Sequence, residues 1–440
     1  MSRSATSPPG PKGHWLLGSL PEFGQDMLGF FSRCARDHGD IVQFRLAHRR
    51  AFLLNHPRYL EEVLVTRNQD YIKHRFFWNR ARAVFGLGLV ASEGALWASQ
   101  RRFMQPFFQQ ERIQRYAQAV SRQAEACLSG CENGQEVDLR TTFARLTMGI
   151  AAECFFAADL SPESVRTITE RGDEITELLA QRLKHPLRIP DTLPTPANLR
   201  YRRAVRDLDA VVRLLIEQRR TRPPTGGPDV LGALLQAMPG AAKQLRDEVV
   251  TFLLAGFETT ALALSWTASL LARHPVPAAR VAEEARRAAE RPDTGWEHLT
   301  YTRQAVMEGL RLYPPAYAIG REASAAHALE HYTIPKGATV FMSPWLMHRD
   351  PRFFAAPDDF NPERWAREAA QRIPRLAYFP FGAGPRVCIG NSFALMELTL
   401  IIAAVLRRYT LAPAGPELPP PKAQVTLRPE QALKVRITRR

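Results

Sequence analysis

The feature that most constrains this chain is a lone cysteine, Cys388, set among glycines and one arginine. Residues 381–390 read Phe-Gly-Ala-Gly-Pro-Arg-Val-Cys-Ile-Gly. A cysteine binds metal as the thiolate, and a buried thiolate persists only if cations, helix N-terminal N–H groups or the metal itself lower its pKa. The stretch supplies an arginine, glycines that let the backbone come close to a flat cofactor, and a helix predicted to begin just after the sulfur. The pattern indicates a metal ligand.

The spacing around Cys388 argues against the alternative, an inert buried cysteine. Phe381 stands seven residues before it and Gly384 four before, while Arg386 and Gly390 stand two residues to either side. This arrangement resembles the haem-binding loop of the cytochrome P-450 family. The resemblance implies that the Cys388 thiolate is the iron ligand and that Phe381 packs by the sulfur. It also implies that Gly384 turns the loop and that Arg386 pairs with a haem propionate. In that family the thiolate donates electron density to iron and favours cleavage of dioxygen.

A second motif interrupts an apolar helix predicted over residues 245–272. Its centre carries Ala255, Gly256, Glu258 and Thr259. Glycine disfavours a helix interior and threonine can bond backward to helix carbonyls, so we expect local loosening. The motif resembles the family's oxygen-binding groove, which implies that Ala255 and Gly256 make room over the iron. The same resemblance makes Thr259 a hydrogen-bond donor to dioxygen and Glu258 a proton relay. The alternative is a kinked core helix with a surface glutamate.

A buried ionic network is implied by three charged residues. Glu308 and Arg311 resemble the family's Glu-x-x-Arg pair, and Arg364 would be their partner. The pair alone carries little weight because the same spacing recurs on other predicted helices, where ordinary surface pairs suffice. The order of the motifs along the chain supports the resemblance. Trp365 stands where the family usually has phenylalanine.

The haem propionates require further cations. Trp97 and Arg101 are four residues apart and share a helix face. They resemble the pair that holds a propionate, and Arg321 would be a further propionate arginine. Arg102 competes with Arg101 for this role. His348 is another candidate, against the alternative that it only caps backbone.

The composition is that of a soluble globular protein, with 440 residues of which 45% are hydrophobic. Five irregularly spaced cysteines make a disulfide framework improbable and indicate a reducing compartment. We find no stretch of about 18 apolar residues and no signal peptide. Length alone would suggest two or three domains, but the resemblance implies one catalytic domain over residues 1–440, with a short proline-rich lead at 1–13. Without an apolar run, we expect no membrane anchor and a cytoplasmic location. Prolines at 186–196 and the stretch 223–228 predict two connections between helices.

The net charge of +15 permits either nucleic acid or an acidic protein as partner. Arginines alternate with acids along the predicted helices, so nucleic acid is not expected. The chain carries no flavin or iron–sulfur motif of its own. We expect electrons from a separate acidic ferredoxin or flavodoxin and its NAD(P)H reductase.

The resemblance implies a mainly α fold with small β-sheets, in which haem b (iron protoporphyrin IX) lies between a long central helix and the helix after the cysteine loop. It implies a haem-thiolate monooxygenase that inserts one oxygen atom from O2 into a lipophilic small molecule such as a terpenoid, fatty acid or steroid. The segments expected to line the pocket are apolar. They are residues 76–78, 85–90, 316–319 and 425–426. Lys73 or Arg75 could meet a substrate carboxylate, although a solvated position is expected for them. A peroxide-driven oxygenase and a non-catalytic haem-thiolate sensor remain open, and neither needs the pair Glu258 and Thr259.

Overall fold

The computed structural model describes residues 7–184, 190–221, 229–290 and 295–440. The predicted connection at 223–228 and part of the one at 186–196 lie outside the described residues. The mainly α architecture expected from the sequence is confirmed. The α-helices are α1 (Leu20–Gln25), α2 (Met27–His38), α3 (Pro57–Glu61), α4 (Arg75–Phe85), α5 (Gly94–Met104), α6 (Gln110–Ser129), α7 (Leu139–Phe156), α8 (Pro162–Lys184), α9 (Pro196–Thr221), α10 (Val230–Ala237), α11 (Ala242–Arg273), α12 (Pro275–Ala289), α13 (Thr300–Leu312), α14 (Pro344–Met347), α15 (Arg367–Ala370) and α16 (Asn391–Arg408).

The strands form small sheets at the edge of the helical body. The largest has the order β1-β2-β8-β5-β3, in which β2 and β8 are parallel and the other neighbours are antiparallel. A three-stranded sheet has the order β4-β12-β9, and β6 with β7 and β10 with β11 form hairpin pairs. The strands are β1 (Ile41–Leu46), β2 (Arg49–Leu54), β3 (Tyr71–Lys73), β4 (Glu136–Asp138), β5 (Ile319–Ala323), β6 (His327–Leu329), β7 (Tyr332–Ile334), β8 (Thr339–Met342), β9 (Tyr409–Pro413), β10 (Pro421–Ala423), β11 (Leu427–Pro429) and β12 (Lys434–Arg439).

The long helix α11 runs through the centre of the molecule and packs against α7, α13 and α16. Its apolar residues occur all round the helix, which is the pattern of a helix buried on every side. By length and composition alone this helix could cross a membrane, which the sequence analysis did not expect. However, 78% of its most apolar stretch is buried inside the protein. It is therefore the core helix of this fold. The helix α11 continues through Gly256 without a break.

A buried ion network ties α13 to the long loop before the cysteine. Glu308 and Arg311 are fully buried and form two hydrogen bonds of 2.8 Å. The same carboxylate accepts from Arg364 Nε at 3.0 Å and from Trp365 Nε1 at 3.0 Å. The tryptophan therefore adds a donor that phenylalanine lacks. Each carboxyl oxygen is satisfied, which a buried charge requires.

Substitution of Arg364 tests the weight of this network. Arg364→Ala leaves Glu308 with one cation instead of two, and we expect a loss of about 3 kcal/mol in the free energy of unfolding, the low end for a broken buried ion pair. Urea denaturation measures it. Arg367→Ala, on the exposed face of α15, is the matched control. Equal unfolding free energies for the two variants would contradict the predicted role.

Candidate active site

The cysteine loop, residues 381–390, closes on itself before α16 begins. The Cys388 amide donates to the Phe381 carbonyl at 2.9 Å, and Gly390 is the N-cap of α16. The predicted helix start after the sulfur is thus confirmed. Gly384 has a φ of 69°, and a Cβ there would lie 1.9 Å from the carbonyl oxygen of Leu64. Only glycine lets the loop approach this backbone.

The Cys388 sulfur faces a space inside the protein, because it is surrounded by protein atoms and yet remains accessible. Burial raises the pKa of the thiol, whereas a hydrogen bond from the Gly390 amide and the charge of Arg101 act in the opposite direction. Such a thiol is neutral until a bound metal ion deprotonates it. Within the described ranges, no three His, Cys, Asp or Glu side chains converge on a metal position. A metal at Cys388 therefore needs a cofactor to complete its coordination.

The centre of α11 carries the second half of the site. The residues around it are buried, but Ala255 is exposed, and Gly256, Glu258 and Thr259 are half-buried. The Thr259 hydroxyl donates to the Ala255 carbonyl at 2.8 Å, which is the backward bond expected of threonine in a helix. An accessible face in a core helix indicates that α11 also faces an internal space.

An aromatic cluster connects this helix face to the cysteine loop. A Cβ on Gly390 would lie 3.7 Å from Phe108, and a Cβ on Gly256 would lie 3.9 Å from Phe155. The rings of Phe108 and Phe155 are 5.6 Å apart. Phe252 of α11 stacks on Phe108 at 6.0 Å. The loop and the helix face therefore lie on two sides of one packed cluster.

Cations surround the cysteine loop. Arg101 Nη1 donates to the Val387 carbonyl at 2.8 Å. Arg386 lies 5.1 Å from the centre of the Trp97 ring and binds the Glu93 carboxylate through both terminal nitrogens, one at 2.6 Å. Trp97, Arg101 and Arg386 thus lie together at the cysteine loop, while their binding to propionates stays a prediction, and Glu93 is an acid that the sequence did not reveal.

Arg321 joins this group through the largest sheet. It pairs with Lys73 in the register of β5 and β3. Burial, and then the charge of Arg386, lower the Arg321 pKa to about 10. Across the described residues, neither Arg101 nor Arg321 forms an ion pair with an acid. Two partly buried guanidinium groups without acids favour an anionic ligand at this position.

The Cytochrome P450 family model matches residues 8–436 of this chain. The chain belongs to the cytochrome P450 family.

Named relatives agree with this family assignment. Cyclooctat-9-en-7-ol 5-monooxygenase of Streptomyces melanosporofaciens is 34% identical, over 90% of this chain and 89% of that protein. Pentalenene oxygenase of Streptomyces avermitilis is 32% identical, over 92% of this chain and 91% of that protein. The crystal structure of CYP175A1 from Thermus thermophillus superposes with a TM-score of 0.81 at 27% identity, and covers 98% of this chain and 100% of that one. This P450 is an oxidoreductase of the monooxygenase class, and the family implies a haem iron.

The residues of the site fit a haem. The Cys388 sulfur would bind the iron, and Ala255 has a small side chain on the accessible face of α11. Arg101 and Arg321 lack acid partners within the described ranges and match the two propionates in charge. Arg386 binds the Glu93 carboxylate through both of its terminal nitrogens, and its pairing with a propionate stays a prediction.

Glu258 is held at the edge of this space. Its carboxylate accepts from the Thr426 hydroxyl at 2.8 Å and from Arg428 Nε at 2.9 Å. Arg428 also binds Asp173 of α8 at 2.9 Å, and Asp173 binds Arg140 of α7 at 2.7 Å. The predicted proton-relay residue is therefore one end of a charged chain that crosses four elements.

Three other candidates from the sequence occupy different environments. His348 is fully buried, and its ring contacts the Arg311 carbonyl at 3.3 Å and the Phe379 amide at 2.9 Å, so both nitrogens serve backbone groups rather than propionates. Arg102 is exposed, whereas Arg101 reaches the cysteine loop. The solvated position expected for Lys73 is wrong, because it is 9% exposed.

Glu397 is a buried acid that the sequence motif analysis did not single out. It lies on α16, is 1% exposed, and has the Thr260 hydroxyl of α11 as its side-chain neighbour. Burial raises its pKa well above the usual range, so the acid is neutral. The sequence signal for Glu397 is the apolar sequence around it. A lone acid in a buried helix is a candidate for a functional or structural role.

Replacement of the cysteine ligand tests the site directly. Cys388→His should retain the fold but lose the strongly red-shifted absorption of the reduced carbon monoxide complex, because that shift requires thiolate ligation. Cys127→Ser, at a half-buried cysteine on α6, is the matched control and should keep the parent spectrum. Two results would refute the assignment. One is a parent complex that lacks the red shift, and the other is a Cys388→His complex whose spectrum matches that of the parent.

Proposed function

We propose that residues 1–440 form a single catalytic domain that binds haem b and inserts one oxygen atom from O2 into a lipophilic small molecule. The observation that carries this proposal is the placement of the Cys388 loop and the Gly256 segment of α11 on two sides of one aromatic cluster. Haem ligated by a thiolate supplies the redox chemistry that activates dioxygen when electrons are provided.

The protein side chains supply position and protons. Splitting dioxygen consumes two protons in a site from which water is largely excluded. The Thr259 hydroxyl lies on the accessible face of α11, next to Glu258. Glu258 contacts Arg428 and Thr426, so its carboxylate must turn from these partners to deliver a proton inward. We assign Thr259 as the hydrogen-bond donor to dioxygen and Glu258 as the relay.

The pocket favours a neutral hydrocarbon-like substrate. Phe77 and Trp78 of α4 pack edge to face at 4.9 Å, and Trp78 packs on Phe85 at 6.0 Å. Neither cation suggested by the sequence for a carboxylate is available, because Arg75 pairs with Glu322 and Lys73 donates to main-chain carbonyls. Two relatives are named for cyclooctat-9-en-7-ol and pentalenene. We therefore propose a terpenoid substrate ahead of a fatty acid.

Electrons would come from a separate protein in the cytoplasm, an acidic ferredoxin or flavodoxin served by an NAD(P)H reductase. Exposed Arg102 adjoins Arg101, which touches the cysteine loop, and exposed Arg115 precedes Tyr116, which packs on Phe393 of α16 at 5.5 Å. These arginines present positive charge on the side of the protein that holds the ligand loop. An acidic donor would be attracted there.

The role of Thr259 provides the test of this function. Thr259→Ala should bind haem normally but divert electrons to hydrogen peroxide, because positioned proton transfer is worth on the order of 10² to 10⁴ in rate. The yield of oxidised product per nicotinamide consumed measures the diversion. Thr169→Ala, which removes the same kind of backward bond to the Val165 carbonyl at 2.9 Å on α8, is the control. If Thr259→Ala couples fully, the double variant with Thr260→Ala decides whether Thr260 supplies the hydroxyl.

Full coupling in Thr259→Ala would contradict the assignment. The parent should also form product with O2, reductase and nicotinamide. Product formed only with added peroxide would instead identify the peroxide-driven alternative, and a haem protein inactive under both conditions would identify a sensor.

The salt dependence of turnover tests the proposed acidic electron donor. Reductase-driven turnover should fall as ionic strength rises over the range in which the Debye length shrinks from about 10 to 3 Å. Arg102→Glu should lower the rate at low salt, whereas Arg213→Glu, exposed on α9, should not. Peroxide-driven turnover needs no partner and serves as the internal reference. A rate indifferent to both salt and Arg102→Glu would exclude electrostatic docking.

A further inference from the structure

Tyr71, His327 and Glu62 form a hydrogen-bonded triad outside the site described above. The Tyr71 hydroxyl lies 2.5 Å from His327 Nδ1, and His327 Nε2 lies 2.7 Å from Glu62 Oε1. Tyr71 and His327 are each 1% exposed, and Glu62 is half-buried. A buried polar group without a partner costs free energy, so the three side chains depend on one another. His327 follows Tyr71 by 256 residues in the sequence, so only the fold brings the triad together.

The direction of the hydrogen bonds in the triad follows from the chemistry of its two ends. The carboxylate of Glu62 is an acceptor, so Nε2 of His327 donates to it and Nδ1 is left as an acceptor. Burial raises the pKa of Tyr71 well above its usual range, so the phenol keeps its proton and donates to Nδ1. Each ring nitrogen of His327 thus has one partner of the right kind.

The acid of the triad begins a π turn. Residues Glu62–Thr66 form this turn directly after α3, and the Arg67 amide closes it by donating to the Glu62 carbonyl at 2.8 Å. Single π turns are rare and occur frequently at functional sites. Because Tyr71 lies on β3 and His327 on β6, the triad fastens the first residue of the π turn to two strands.

The π turn bears on the cysteine loop. Its Leu64 carbonyl is the group that Gly384 approaches, and an added Cβ on Gly384 would also lie 3.4 Å from Val65 Cα. The Gly384 carbonyl accepts from the Val387 amide at 3.0 Å, and Cys388 is the next residue. A shift of the π turn therefore reaches the sulfur through a backbone contact, a hydrogen bond and a peptide bond.

The apolar surroundings of the π turn transmit such a shift. One hydrophobic cluster contains buried residues of the π turn, the tyrosine of the triad and residues at the start of the cysteine loop: Val63, Leu64, Tyr71, Phe379 and Ala383. Protein interiors are close-packed, so a displacement passes to the neighbouring residues. The π turn and the cysteine loop should therefore move together.

We propose that Tyr71, His327 and Glu62 are positioning residues for the cysteine ligand. The triad fixes the π turn, and the π turn fixes the loop that directs the Cys388 sulfur. This inference rests on the proposed function, since it takes Cys388 as the iron ligand. The triad acts through the loop backbone, so its loss should weaken thiolate ligation without removing the ligand.

Two variants break the triad and a third restores it. His327→Leu removes both ring nitrogens. Tyr71→Phe removes only the hydroxyl and keeps the ring in the core, so it tests the proposal if His327→Leu fails to fold. His327→Gln is the conservative variant, because its amide offers a donor to Glu62 and an acceptor to Tyr71. His331→Leu, exposed in the turn of the same hairpin, and Tyr332→Phe, half-buried on β7, are the matched controls.

Carbon monoxide spectra and hydrogen–deuterium exchange of the haem-loaded protein supply the readouts. In His327→Leu and Tyr71→Phe, the reduced carbon monoxide complex should lose its red-shifted absorption about tenfold faster than in the parent, as expected when a buried polar partner is left unsatisfied. The amides of Val387 and Cys388 should also exchange faster, while those of α9 keep the parent rate. His327→Gln and both controls should resemble the parent in both measurements.

Parent-like spectra and exchange in both breaking variants would overturn the proposal. Equally faster exchange in α9 and in the cysteine loop would overturn it as well, because the triad would then only stabilise the whole fold. A parent complex without the red shift would overturn the proposed function instead, and the exchange of the Val387 and Cys388 amides in the variants would still report on the positioning.

Discussion

The buried carboxylate of Glu308 supports the half of the structure that carries the cysteine. It receives hydrogen bonds from Arg311 and Arg364, and Arg311 Nη1 in turn donates to the His348 carbonyl at 2.7 Å. The His348 ring accepts from the Phe379 amide just before the cysteine loop. Each link is satisfied and excluded from water, so displacing one leaves a charge or a donor unpaired. The position of the sulfur thus depends on an acid 80 residues earlier in the chain.

A second constraint is the distribution of charge around the loop. Glu93 neutralises Arg386, but Arg101 and Arg321 are left without acids among the described residues, and Glu258 is drawn to Arg428 at the other side. Burying unpaired cations costs free energy, and an anionic cofactor would recover it. The haem implied by the family would therefore complete the core as well as the active site. Folding and cofactor binding should be linked for this reason.

Short motifs made part of this site predictable. Cys388 and Thr259 stand in local patterns that resemble the family's motifs, and the helices around them follow from apolar periodicity. Partners far apart in sequence could not be inferred in this way. Glu93 and Arg386 are separated by 293 residues, and no periodicity relates them. The burial of Lys73 could not be predicted for the same reason. Its ammonium group donates to carbonyls of the loop before α5, and the sequence does not determine the path of that loop.

We propose that one iron lies between Cys388 and the Ala255 face of α11. A crystal of the haem-loaded protein, measured at the iron absorption edge, tests it through the anomalous difference map. The account predicts a single strong iron peak per chain, bonded to the Cys388 sulfur and facing Ala255. A peak bonded to another residue, such as Cys127 or Cys131, or no ordered iron in a protein that contains haem, would contradict it.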